Sequence, residues 1–86
     1  MVKVIWTRHA EDRQREWQKK FGITRGEIEN VLLNPEQIVP GDIDALVAQT
    51  MRRNGLLRVP FLEVEGGRKI LTVYWTSKVE KYWKKE

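Results

Sequence analysis

Phe21-Gly22-Ile23-Thr24-Arg25-Gly26-Glu27-Ile28 is the stretch that decides the fold. It predicts two helices meeting at a very short joint. Upstream, Ala10, Trp17 and Phe21 recur at spacings of seven and four, which puts them on one face of a helix running from about Arg8 to Phe21. Gly22 then supplies the left-handed residue that commonly ends a helix. Thr24 with Glu27 three residues later has the spacing of a capping box, and Ile23 and Ile28 occupy the two hydrophobic-staple positions. Ile28, Val31 and Leu32 continue as an apolar stripe. Asn34-Pro35 stops the second helix, because a residue before proline is pushed out of the α region.

Outward from this helical hairpin the pattern turns to strands. Val2, Val4 and Trp6 alternate with Lys3 and Ile5, which suits a short N-terminal strand. After an extended Gln37–Val39 and a turn at Pro40-Gly41-Asp42, residues 43–53 and 56–65 flank Asn54-Gly55. That dipeptide is the strongest short hairpin signal, since a type I′ turn needs positive φ at both central positions. Gly66-Gly67 reads as a second tight turn. Arg68–Thr76 then forms a third strand, with Leu71, Val73 and Trp75 on one face and Ile70, Thr72 and Tyr74 on the other. Pro60 cannot donate a ladder bond, so a bulge or locally open edge is expected in its strand. Leu57, Val59 and Phe61 alternate up to it, and Leu62 and Val64 fall on the opposite parity beyond it. Ser77 and Glu80 repeat the capping-box spacing, so residues 78–84 are expected to form a short terminal helix with Val79, Tyr82 and Trp83 facing the body. The expected fold is α+β, one domain over residues 1–86, in the order β-α-α-β-β-β. An antiparallel sheet packs one face on the helical hairpin and leaves the other more open.

The chain has 86 residues, 41% hydrophobic and 33% charged, a balance that folds rather than stays disordered. It contains no cysteine, which excludes disulfides, thiol catalysis and thiolate-bound metal. With one histidine and no clustered carboxylates, neither a metal nor another cofactor is implied. No glycine-rich phosphate loop and no context for a Ser-His-Asp triad is present. No apolar run approaches the ~20 residues of a membrane helix, and the N-terminal stretch lacks a signal-peptide core, so the expected compartment is the cytoplasm, with no membrane partner.

The net charge is +4, unevenly spread. Residues 1–25 carry seven bases and three acids, residues 26–51 no base and five acids, and residues 52–86 nine bases and four acids. The two basic ends are expected to meet and form a shelf attractive to a polyanion such as RNA. A solvated surface without a partner is the competing reading.

Several side chains fit that chemistry. His9 is the only histidine, hence the natural proton carrier near neutral pH. Arg13 lies one helical turn on, although His9 at a strand–helix corner also suits local capping or packing. Arg52, Arg53 and Arg58 flank the Asn54-Gly55 hairpin. Arg58, among apolar neighbours in a strand, suits phosphate binding; an ion pair with Glu63 or Glu65 is the structural alternative. Tyr74, Lys78, Lys81 and Tyr82 belong to a C-terminal stretch that interleaves aromatics and lysines, as single-stranded RNA contacts do. Trp75 and Trp83 fit a core at least as well.

His9-Ala10, Arg13, Gly22-Ile23-Thr24, Asn34-Pro35 and Thr72-Val73-Tyr74, in this order and spacing, resemble the RelE/ParE superfamily of small bacterial and archaeal toxins. The closer likeness is to an uncharacterised family within it that opens on a strand ending in His-Ala. The resemblance covers nearly the whole chain. It implies a toxin-like domain that cleaves messenger RNA without metal, often on the ribosome, and is silenced by a cognate antitoxin. In such enzymes, basic and tyrosine side chains on the open sheet face and near the C-terminus activate the ribose 2′-hydroxyl and stabilise the developing charge. The positions available are Arg58, Tyr74, Lys78 and Lys81, with His9 at the rim. Some ParE-like members instead inhibit DNA gyrase and others are inactive, so a non-catalytic module that binds nucleic acid or protein is the alternative.

Overall fold

Thr7 and Thr24 begin the two long helices in the computed structural model, which describes residues 2–85. In α1 (Arg8–Phe21), Thr7 Oγ1 accepts from the Ala10 N–H, and Gly22 closes the helix with φ of 69°. In α2 (Arg25–Leu33), Thr24 Oγ1 accepts from the Glu27 N–H. The Glu27 side chain does not complete the capping box; it pairs with Arg52. Ile23 and Ile28, the staple pair, are both fully buried. The sequence therefore located both helices and their joint.

The strands are β1 (Lys3–Trp6), β2 (Gln37–Pro40), β3 (Leu46–Arg52), β4 (Gly55–Val64), β5 (Gly67–Ile70) and β6 (Tyr74–Thr76). They form one sheet in the order β1-β5-β4-β3-β2, and β6 pairs with β4. The chain leaves β1 and crosses in α1 and α2 to the far edge. It then returns by the meander β2 to β5, which brings β5 alongside β1. That last pairing is parallel, so the sheet is mixed, and the expected largely antiparallel meander covers β2 to β5. Ala10, Ile28, Val31 and Leu32 from the helices pack with Ala48, Leu57, Val59, Phe61, Ile70 and Val73 from the sheet. One sheet face is thus the core.

Both hairpin turns sit one residue earlier than the sequence suggests. Arg52 pairs with Gly55, so the central residues are Arg53 and Asn54, both with positive φ. Gly55 opens β4 for reasons of space: a Cβ there would collide with the Thr76 carbonyl and the Trp75 ring. In the next turn Val64 pairs with Gly67, leaving Glu65 and Gly66 at the centre. The expected strand start at 43 also moves. A Gly41–Ala45 loop precedes β3, closed by Gly41 N–H on the Ala45 carbonyl at 2.9 Å.

The interruption expected at Pro60 falls on one side of its strand only. The β3–β4 register runs unbroken through Val47 and Pro60. The irregularity falls in the neighbouring strand instead. Three steps along β4, from Phe61 to Arg58, are matched by four along its partner, from Ile70 to Tyr74. The extra residue between β5 and β6 is a bulge, with Leu71 N–H reaching the Pro60 carbonyl at 2.9 Å. It switches parity. Ile70, Val73 and Trp75 all serve the core, whereas Ile70 was expected to face away. Tyr74 is set opposite Arg58; the β5 register continued without a bulge would set it opposite Leu57, in the core.

The short α3 (Val79–Tyr82) follows, without its expected cap. Ser77 does not bond Glu80; Lys78 holds the cap position with no side-chain cap bond. The tail is held from the sheet. Gln37 Nε2 donates to the Lys84 carbonyl at 2.6 Å, Lys84 N–H donates to Gln37 Oε1 at 3.0 Å, and Gln49 Nε2 donates to the Tyr82 carbonyl at 3.1 Å. Among the described residues no helix is long and apolar enough to cross a membrane.

Candidate functional site

Alternation along β4 puts Leu57 and Val59 in the core and sends the Arg58 side chain to the opposite sheet face. Across the β3–β4 ladder Arg58 opposes Gln49, and across β4–β6 it opposes Tyr74. The tail lays Tyr82 over this trio. Arg58 Nε donates to Gln49 Oε1 at 2.9 Å, and Arg58 Nη1 donates to the Tyr74 hydroxyl oxygen. The guanidinium carbon lies 3.9 Å from the Tyr82 ring centroid and 5.6 Å from that of Tyr74. The two tyrosine rings meet edge to face at 6.5 Å.

Arg58 is only 6% exposed. Among the described residues it makes no ion pair, and Glu63 pairs with Arg68 at 3.7 Å instead. All its partners are neutral: an amide oxygen, a hydroxyl and an aromatic face. A buried charge without a counter-ion costs several kcal/mol unless hydrogen bonds and ring contacts offset part of it. Such a cation is a standing attraction for an anion.

The groove that gives access to it has a volume of about 660 Å³. Pro40, Val47, Pro60 and Leu71 line it with apolar surface; Asp42, Thr72, Tyr74, Lys81 and Tyr82 add polar groups. Lys81 Nζ sits 5.2 Å from the Tyr82 ring centroid. Burial raises the Tyr74 pKa above its ordinary value of 10.0, and the Arg58 charge and hydrogen bond oppose that rise only in part. The phenol therefore stays protonated at neutral pH. Its oxygen accepts from Arg58, and the neighbouring Tyr82 phenol also favours the protonated form.

Of the side chains singled out in the sequence, the groove gathers Arg58, Tyr74, Lys81 and Tyr82. It does not gather the rest. His9 and Arg13 are exposed on α1, the helix packed on the other sheet face. Arg13 pairs with Glu16 at 3.2 Å, and the cap role considered for His9 belongs to Thr7. Arg52 also points to the helix side, where it pairs with Glu27 and donates to the Phe21 carbonyl at 3.1 Å. Arg53 occupies the hairpin turn, 5.9 Å from the Phe21 ring centroid. Lys78 lies in a separate recess formed by residues 77–81. The expected shelf of cations from both chain ends is thus not formed. Helix α1 spends much of its charge on local pairs, Arg13 with Glu16 and Arg15 with Asp12, and one buried arginine carries the site.

Sequence reasoning missed Gln49, Gln37 and Asp42. Gln49 had a usable signal: a polar residue between Ala48 and Thr50 in a strand whose hairpin partner carries Arg58. Among the described residues no group of three or more His, Asp or Glu side chains is placed to hold a metal ion. Comparison of the chain with models of known protein families, with curated proteins and with solved structures gives no match.

Proposed function

We propose that the protein is a toxin-like, RNA-directed domain, and that the Arg58 groove takes a backbone phosphate for metal-independent cleavage. The observation that carries this reading is a buried guanidinium that lines an accessible groove and has no counter-ion among the described residues. Arg58 holds a phosphate oxygen and stabilises the charge that grows on it as the neighbouring 2′-oxygen attacks phosphorus. As the bond from phosphorus to the 5′-oxygen breaks, the neutral Tyr74 hydroxyl gives that oxygen its proton. The proton of the 2′-hydroxyl passes to Asp42, the one carboxylate lining the groove among the described residues, and returns through solvent to Tyr74. Lys81 and the Tyr82 ring steer the strand by charge and stacking. A cognate antitoxin, and the ribosome as the place where RNA is met, belong to the same proposal, as does a RelE/ParE-like arrangement of the fold.

One observation favours a second reading, RNA binding without cleavage: the only histidine is on the far side of the sheet. A single experiment separates the two. Purified protein is incubated with RNA, with and without ribosomes and with a chelator. Cleavage that persists under chelation, falls at least tenfold in Tyr74→Phe and is lost in Arg58→Ala supports the nuclease. Salt-sensitive binding that Arg58→Ala weakens about 10–100-fold, with no cleavage, selects the binding module. RNA neither bound nor cut removes both.

A further inference from the structure

Gln49 is fully buried, and both amide protons and the amide oxygen of its side chain are used. Its Nε2 donates to Gln37 Oε1 at 2.8 Å and to the Tyr82 carbonyl at 3.1 Å. Its Oε1 accepts from Arg58 Nε at 2.9 Å. This fixes which way the amide points, because the reverse orientation would set an amide N–H against the guanidinium N–H and an oxygen against two acceptors. Glutamate has the shape of glutamine and would neutralise the arginine, at the cost of setting its second oxygen against the Gln37 and Tyr82 acceptors. A buried arginine is ordinarily paired in that way. Here the neighbour is an amide, and the remaining contacts, Tyr74 and the Tyr82 face, are neutral too.

We propose that Gln49 makes the groove anion-selective: its amide oxygen fixes the orientation of the Arg58 guanidinium while leaving the positive charge unpaired for a phosphate. Gln49 is a positioning residue and does not itself touch the ligand. Its Nε2 bond to the Tyr82 carbonyl ties the same amide to the tail, so Tyr82 is held over the guanidinium by the residue that aims it. This inference rests on the reading of the groove as a phosphate site, and the test keeps the two apart.

Gln49→Glu and Gln49→Met are compared with the wild type and with Arg58→Gln. Binding of inorganic phosphate and of a short single-stranded RNA is measured by calorimetry, and stability by thermal melting. Gln49→Met loses all three hydrogen bonds, whereas Gln49→Glu keeps and strengthens the one to Arg58. A merely structural residue would therefore suffer more from methionine in both measurements. The proposal expects the orders to differ: glutamate melts above methionine, yet its affinity falls tenfold or more and below that of methionine. Methionine weakening binding as much as glutamate does would overturn it. Where Gln49→Glu does not fold, because its second oxygen meets the Gln37 and Tyr82 acceptors, Gln49→Met is judged against Arg58→Gln instead, and methionine abolishing binding as fully as Arg58→Gln overturns the proposal. Wild-type binding that Arg58→Gln abolishes but Gln49→Glu leaves intact overturns this inference alone. Absence of any Arg58-dependent binding removes the phosphate site and the inference with it.

Discussion

Position 58 lies between Leu57 and Val59, both fully buried, and its own side chain is nearly as enclosed on the other sheet face. The guanidinium survives there because each contact is a hydrogen-bond acceptor or a ring. A desolvated cation–π contact contributes ~2 kcal/mol, and a hydrogen bond from a charged donor about 1.5–3 kcal/mol. Tyr74 shares that environment and has a testable pH signature. Its pKa is raised by burial above 10.0, so folding favours the neutral phenol. The resulting stability is complete below that ordinary value and is lost as pH rises through the raised one. Denaturation measured between about pH 9 and 11 should show the wild type losing stability more steeply than Tyr74→Phe. Equal slopes would show that Tyr74 titrates as it does in the unfolded chain.

At the scale of the elements, two glycines in successive hairpins separate space from dihedral angle. Gly55 is confined by the Thr76 carbonyl and the Trp75 ring, whereas Gly66 has open space around it and φ of 80°. Gly55→Ala should destabilise by ~3 kcal/mol, the upper range for overpacking, which lowers the melting temperature by roughly 12–24 °C in a domain of this size. Gly66→Ala should cost about 1–2 kcal/mol, the price of a left-handed residue with a Cβ. Equal melting temperatures for the two variants would contradict the crowding at Gly55. The same glycine explains what the sequence hid. Asn54-Gly55 is a good turn signal by dihedral preference, and reading it so pairs Gln49 with Pro60. The crowding around Gly55 comes from a strand twenty residues away and is invisible locally. It moves the turn back by one and pairs Gln49 with Arg58. The helices were legible because their signals are local: the Thr24 cap, the Gly22 stop and the Ile23–Ile28 staple. The bulge between β5 and β6 was not, since the parity of Arg68–Thr76 read alone gives one straight strand. Tyr74 was still assigned to the open face, because the residues after the bulge keep their own alternation.

Over the whole molecule, the cations singled out in the two basic ends do not gather on one face: Arg13 and Arg52 lie on the helix side, Arg58 and Lys81 at the groove. Helix α1 neutralises part of its charge within itself, Arg25 reaches Glu11 at 3.0 Å, and Arg52 is consumed by Glu27. Charge counted along a sequence overstates the field that a ligand meets when acids and bases fold against each other. Arg58 differs from these arginines in being buried with no ion pair among the described residues, and the tail, the bulge and the Gln49 amide all bear on it. The most direct measurement is an NMR titration of the arginine Nε–H resonances with a short single-stranded RNA. The Arg58 resonance should shift saturably, while those of Arg52 and Arg68, already held by Glu27 and the Leu32 carbonyl, stay in place. An unmoved Arg58 resonance while RNA binds elsewhere would contradict the account.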